Sequence, residues 1–363
     1  MNFKKIALSI LLCAFMVMPA AFAFSIENSV EPQASMDEYS MKDIEIILLE
    51  YLETTNSELD VGTPEFYDFV VNQLLGDRDV NLENHKDYTL IHSYLASYKV
   101  AYDDFLILQA VLEDDSLDSK NVSDMSQEIL SENDSILYDA NTNEVTFDVS
   151  ENFDNTTIGD IKAEVAQNEA NSRSEFSGII SRAYSGYKAS SAISYAKTWG
   201  LSRNTPTYQN YVSDCTNFVS QCVYAGGVPM TGVPSKAGTT ATTTKWYSKR
   251  FINDGYQGTT YDTYAVSTSW LRVEDFISYM QNRVTKKVCN TREDLRKNVK
   301  AGDVVFLADA NNKPYHAVFI SGVGSTLGSS YYCGHTNNAN GSSSYTFNKF
   351  SASDHFIILK FAS

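Results

Sequence analysis

Cysteine is scarce in this chain, with five residues in 363, at positions 13, 215, 222, 289 and 333. That number is too small for a disulfide-stapled scaffold of this length. Histidine is equally rare, and none of His85, His92, His316, His335 and His355 falls in an HExxH pattern or beside a paired CxxC. A glycine loop of the phosphate-cradling kind is missing, as is a basic recognition helix, so nucleotide and nucleic-acid binding are not first readings. No metal ion, organic cofactor or nucleic-acid partner is expected. Beyond the first two dozen residues there is no apolar run long enough to span a bilayer, so no transmembrane anchor is expected.

Basic residues are also nearly absent from the first half. Residues 24–172 hold 34 Asp and Glu against 6 Lys and Arg, a net of −28, whereas residues 173–363 hold 11 against 20, a net of +9. The acidic pI thus describes only the N-terminal part. A basic half suits an anionic polymer surface through long-range attraction. Opposite charge also favours intramolecular contact between the halves, with the acidic part as a movable cover over the groove at Cys215. The first 23 residues, MNFKKIALSILLCAFMVMPAAFA, carry Lys4 and Lys5, an apolar run and the small-residue site Ala21-Phe22-Ala23. They read as a leader cleaved near Ala23, which makes the chain secreted or cell-wall associated. Cys13 goes with the leader, because Leu12 before it does not suit lipidation.

The chemistry concentrates in residues 211–230, YVSDCTNFVSQCVYAGGVPM. Asp214 reads as a helix N-cap, Cys215 falls in the first turn, and Phe218, Val219, Cys222, Val223 and Ala225 recur at helical spacing up to Gly226-Gly227. A thiolate at a helix start meets unpaired N–H groups and the positive end of the dipole, which lowers its pKa. GDVVFLADANNKPYHAVFISGV reads as strand, turn and strand, with His316 at the head of an apolar run. His316 is then the candidate base, and His335, after SSYYCG, the candidate orienter of its ring. The competing readings are a buried core thiol and a hydrogen-bonded structural histidine. Cys222, seven residues after Cys215, sits about 10 Å further along the helix and cannot pair with it. Cys289 and Cys333 are left either to pair with each other or to stay as free thiols.

Several segments together carry a family resemblance. YSGYKASSAISYAKTWG, NTPTYQNYVSDCTNFVSQCVYAGGVPM, the WYS at Trp246, the TSW at Trp270, GDVVFL, HAVFISG and GHTNN resemble the putative amidase domain family of exported bacterial proteins. That family is similar to the NlpC-type, papain-like cysteine hydrolases that cut amide bonds in cell-wall peptides. The resemblance covers about Tyr184 to the C-terminus, and DCTNFVSQC with its following AGG is the most specific piece. It implies Cys215 as nucleophile, His316 as base and His335 as third member, with Asn337 and Asn338 as alternatives for that last role.

The expected architecture is α+β: a papain-like, NlpC-like catalytic domain whose Cys-bearing helix packs on an antiparallel sheet, preceded by a smaller acidic domain of mixed α/β content. The expected limits are leader 1–23, acidic regulatory or targeting domain 24–153, polar linker 154–176 and catalytic domain 177–363. Helices are expected near 36–55, 189–200, 273–280 and 291–298. Residues 88–112 read as a helix or a long strand, and a hairpin is expected about 141–143. Trp246, Tyr247 and Trp270 read as groove-lining or core aromatics. The expected activity is hydrolysis of peptidoglycan peptides through a thioester. The alternatives are a cysteine peptidase acting on proteins and a non-catalytic wall-binding module.

Overall fold

A computed structural model describes residues 35–112, 123–142, 144–174, 184–205, 207–255, 258–336 and 338–362. The expected leader with Cys13 and the alternative orienter Asn337 lie outside the described residues. Ser35–Ser363 forms one compact unit.

The acidic half is mainly helical. Helix α1 (Met41–Thr54) opens on a capping box between Ser40 and Asp43, and α2 (Pro64–Leu75) on the Thr63 N-cap with Pro64 at its first position. Short α3 (Val80–Glu83) leads to α4 (Tyr88–Leu112), where the apolar run resolves as helix rather than strand. Then come α5 (Ser123–Glu132), an antiparallel hairpin of β1 (Ile136–Asp139) and β2 (Glu144–Phe147), α6 (Glu151–Asn155) and α7 (Ile158–Ser174). The polar stretch 154–176 is thus largely helical, because Ile158 and Ile161, one turn apart, bury together.

The second half begins with α8 (Ala189–Trp199) and α9 (Cys215–Ala225), which stops at Gly226 and at Gly227 with φ +97°. A small sheet of β3 (Gly238–Thr240), β4 (Ser248–Asp254) and β5 (Thr260–Ser267) precedes α10 (Thr268–Leu271) and α11 (Val273–Met280). The main sheet uses β6 (Thr285–Cys289), β7 (Val304–Ala308), β8 (Pro314–Gly322), β9 (Tyr331–Gly334), β10 (Ala339–Asn340) and β11 (His355–Lys360), with α12 (Arg292–Asn298) between β6 and β7. Its order is β10-β9-β8-β7-β11-β6, and every neighbouring pair is antiparallel. The class is α+β.

Both faces of this sheet are covered, so β7 reads as a continuous apolar run rather than an alternating one. Phe306, Ala317, Phe319 and Leu359 cluster with Phe218, Val219 and Cys222 of α9. Val305, Leu307, Val318 and Ile358 cluster with Leu95 and Tyr98 of α4 and Phe66 of α2. The sheet is therefore packed between the helix that carries Cys215 and the helices of the acidic half. Ion pairs run across the same boundary: Arg272 to Asp104 at 2.8 Å and to Glu132 at 2.6 Å, and Lys313 to Glu164 at 2.6 Å.

All four described cysteines are free and buried. Cys289 on β6 and Cys333 on β9 stand four strands apart in the sheet, about 19 Å at the usual strand spacing, far beyond disulfide reach. Trp246 and Trp270 are fully buried with ring centroids 4.5 Å apart, and Tyr247 is 1 % exposed. These rings are core and do not line a groove. Their indoles satisfy polar groups of α9: Trp270 Nε1 donates to Asn217 Oδ1 at 2.7 Å, and Trp246 Nε1 to Ser220 Oγ at 3.2 Å.

Candidate active site

Cys215 is the first residue of α9, at the helix start that its sequence predicts. Its expected cap does something else. Asp214 makes no side-chain cap bond to the helix backbone. Its carboxylate instead bonds His335 Nδ1, Arg203 Nε at 3.1 Å and Asn217 Nδ2 at 2.7 Å. The correction has a plain cause: a carboxylate only 1 % exposed turns to the strongest donors within reach, and here those are the side chains of His335, Arg203 and Asn217 rather than its own helix backbone.

The Cys215 thiol is 3 % exposed. The backbone N–H of Ala317 in β8 points at its sulfur, and Thr216 Oγ1 lies 3.7 Å away. Burial pushes the thiol pKa up; the Lys99 charge, the Ala317 N–H and Thr216 pull it down, and Asp103 pushes it up. Cys215 also lines a cavity of about 790 Å³ between the two halves. Seven carboxylate residues and two basic ones, Arg272 and Lys313, share its walls.

His316 lies on β8 opposite Leu307 and shares the sheet face of Val318, the face that the acidic half packs against. It is 2 % exposed, and its Nδ1 has no hydrogen-bond partner. Burial, then the Lys99 charge, holds its pKa well below the ordinary imidazole value. The structure thus brings Cys215 beside the backbone of the residue that follows His316, but no hydrogen bond joins thiol and imidazole.

His335 follows β9 directly and packs tilted against Phe218, with centroids 4.0 Å apart and 31° between the rings. Its Nδ1 bonds Asp214, and its Nε2 lies 2.8 Å from the Trp199 carbonyl. A carbonyl only accepts, so Nε2 carries a hydrogen. Both ring nitrogens are committed, and neither is left to orient His316. Asn338 is exposed and accepts from Arg203 Nη1 at 3.0 Å, so it does not orient His316 either.

The residues that sequence reasoning missed come from the acidic half. Lys99, completely buried on α4, donates to Asp103 Oδ2 at 2.6 Å and to the Tyr315 carbonyl at 3.3 Å. Tyr67 Oη donates to the other oxygen of Asp103 at 2.5 Å. The available signal was a Lys and an Asp four residues apart inside a mostly apolar helix.

With that geometry in view, the comparisons with known proteins bear on the C-terminal half. Residues 186–358 match the family model described as a putative amidase domain. That match supports an amidase-like domain in the C-terminal half. An uncharacterized protein of Bacillus subtilis (strain 168), YhbB, is 46% identical over 50 residues, which is 14% of this chain and 16% of the relative. The chain therefore aligns with about a sixth of that relative's length. No solved structure matches the chain. Cys215, His316 and His335 all fall inside the matched residues of the amidase-like domain.

Proposed function

We propose that this protein is an exported cysteine-dependent amide hydrolase that cleaves peptides of the bacterial cell wall through a thioester. The observation that carries the reading is Cys215 at the first position of α9, on the wall of a large cavity and inside the residues that match the amidase family. The unpartnered Nδ1 of His316, next in sequence to the N–H aimed at the sulfur, is the base assigned to it.

In this mechanism His316 takes the thiol proton of Cys215 and the sulfur attacks the scissile carbonyl carbon. Backbone N–H groups at the start of α9 receive the developing oxyanion. The imidazolium returns the proton to the leaving amine as the C–N bond breaks, which leaves a thioester. His316 then deprotonates a water that attacks the thioester, and the acid and the thiol are released. His335 acts as a clamp on Asp214 that fixes the start of α9. The net carboxylate excess of the cavity favours a neutral or amine-bearing portion of the peptide there, although the domain as a whole is basic.

One observation favours a second reading, a non-catalytic binding module. The thiol is held up in pKa by burial and no bond links it to His316. Mass-spectrometric mapping of limited iodoacetamide labelling between pH 5 and 8, with and without His316→Ala, separates the two. Selective labelling of Cys215 that fades without His316, together with release of new amines from purified wall, supports the hydrolase. Slow labelling indifferent to His316 supports the module. A protein substrate digested in parallel distinguishes a wall enzyme from a general peptidase.

A further inference from the structure

We propose that the acidic half supplies Lys99 as a positioning residue of the hydrolase centre, so that the site is built from both halves of the chain. The proposal rests on the reading of Cys215 as nucleophile. Its geometry is a continuous buried chain: Tyr67 Oη to Asp103 at 2.5 Å, Asp103 to Lys99 Nζ at 2.6 Å, and Lys99 Nζ to the Tyr315 carbonyl at 3.3 Å. Tyr315 immediately precedes His316, and Ala317, immediately after it, directs its N–H at Cys215. The ammonium of Lys99 is therefore tied to the same three-residue piece of β8 that presents the base and touches the nucleophile. Tyr102 stacks on Tyr67 with centroids 4.4 Å apart, beside the point where Asp103 reaches the wall of the cavity.

Stability alone gives little reason for a lysine at this position. A buried ion pair is often no more stabilising than apolar residues of the same volume, because each ion loses its hydration. Most other positions of this stretch of α4 are apolar: Ala96 and Tyr98 are fully buried and Ala101 is 9 % exposed. A fixed cation does have an electrostatic effect on both candidate catalytic groups. It favours the thiolate form of Cys215, which is the attacking nucleophile, and before that step the neutral form of His316, which can accept the thiol proton. Asp103 works in the other direction on the thiol, and Tyr67, from α2, also faces it. The balance at Cys215 is thus set by charges on α4, opposed to each other and held in place by α2 and β8.

The test uses the full-length chain and reads the pH dependence of Cys215 alkylation by iodoacetamide, which requires no turnover. Lys99→Met is expected to move the alkylation midpoint to higher pH, with about tenfold slower labelling at pH 7 for each unit of displacement. Asp103→Asn is expected to move it the opposite way. Because Lys99→Met alone leaves a buried unpaired carboxylate, the neutral pair Lys99→Met with Asp103→Leu serves if the single variant does not fold. It is expected to retain a midpoint above wild type, since the lysine has the larger effect on the thiol. Variants that are folded by circular dichroism yet share the wild-type midpoint would overturn the role of Lys99 and leave the hydrolase reading intact. Wild-type labelling that is indifferent to His316→Ala would sink the hydrolase reading instead. In that case the opposite displacements in the two charge variants still decide whether Lys99 acts on the thiol.

Discussion

The imidazole of His335 is bonded through Nδ1 to the carboxylate of Asp214, the residue immediately before Cys215. Nε2 of the same ring meets the Trp199 carbonyl at the end of α8. One buried side chain therefore ties α8, the end of β9 and the first turn of α9 together. This relationship defines His335 as a structural clamp, and it yields the first prediction.

Replacing His335 by Ala leaves Asp214 in the core without one of its partners, and removing one member of such a buried pair costs about 3 kcal/mol or more. Urea unfolding of His335→Ala is expected to give a lower midpoint with an unchanged slope. The pH midpoint of Cys215 alkylation in the folded variant is expected to stay at the wild-type value. A displaced midpoint with full stability would return His335 to the role of ring orienter.

His316 predicts a pH dependence of stability. Its pKa in the folded protein lies well below that of the unfolded chain, through burial and then through Lys99. Between the two values the unfolded chain binds the extra proton, so stability rises with pH in that window and falls as pH drops below about 6.5, by about 1.4 kcal/mol per unit. Asp275 and Asp303, both pushed up to about 6 by burial, act with the opposite sign, because there the folded state holds the extra proton. The comparison is therefore between wild type and His316→Gln. The variant is expected to lose less stability between pH 7 and pH 5.5, and parallel curves would contradict this account.

Trp270 predicts a loss without a catalytic component. Trp270→Phe keeps the ring in the core but deprives Asn217 Oδ1 of the indole N–H. An unsatisfied buried acceptor costs about 1–3 kcal/mol. The melting temperature is expected to fall while the KM for wall peptides is unchanged. A raised KM at full stability would place Trp270 in the substrate groove after all.

Arg272 tests how the two halves hold together. Its guanidinium takes both oxygens of Asp104, at 2.8 and 2.9 Å, and reaches Glu132 at 2.6 Å. Arg272→Met leaves Asp104 buried and unpaired, a loss of about 3–5 kcal/mol. Arg272→Met with Asp104→Leu is expected to recover most of it. Both proteins are expected to unfold in a single transition, since each apolar cluster draws residues from both halves. Two separated transitions would mean that the halves are independently stable.

Most secondary structure was legible because it follows from local patterns. The helical run within residues 36–55, the hairpin about Asn141 and the strand pair flanking Asn311-Asn312 have periodicities and turn residues that act within a few positions, whereas the apolar run 88–112 fits helix or strand until its packing decides. Cys215 at a helix start was legible for the same reason. The chemistry of Asp214 was not, since a short acid before a helix looks like a cap whatever lies across from it in space. Trp246 and Trp270 were left between groove and core, and burial by α9 and α11 decided for core.

By itself the sequence determined an α+β class, a C-terminal half that resembles the amidase family, a thiol at the head of its helix and a separation of charge between the two halves. Those properties depend on spacing, composition and motif, which are contained in the chain's order. Only the tertiary structure decided that both halves share the faces of one sheet, that His335 is spent on Asp214, and that Lys99, Asp103 and Tyr67 stand beside Cys215. Lys99 and Cys215 are separated by more than a hundred residues, and no local rule carries information over that distance. Their approach follows from burying the apolar face of the sheet under α4, and the electrostatics of the site follow from which charges that burial carries with it.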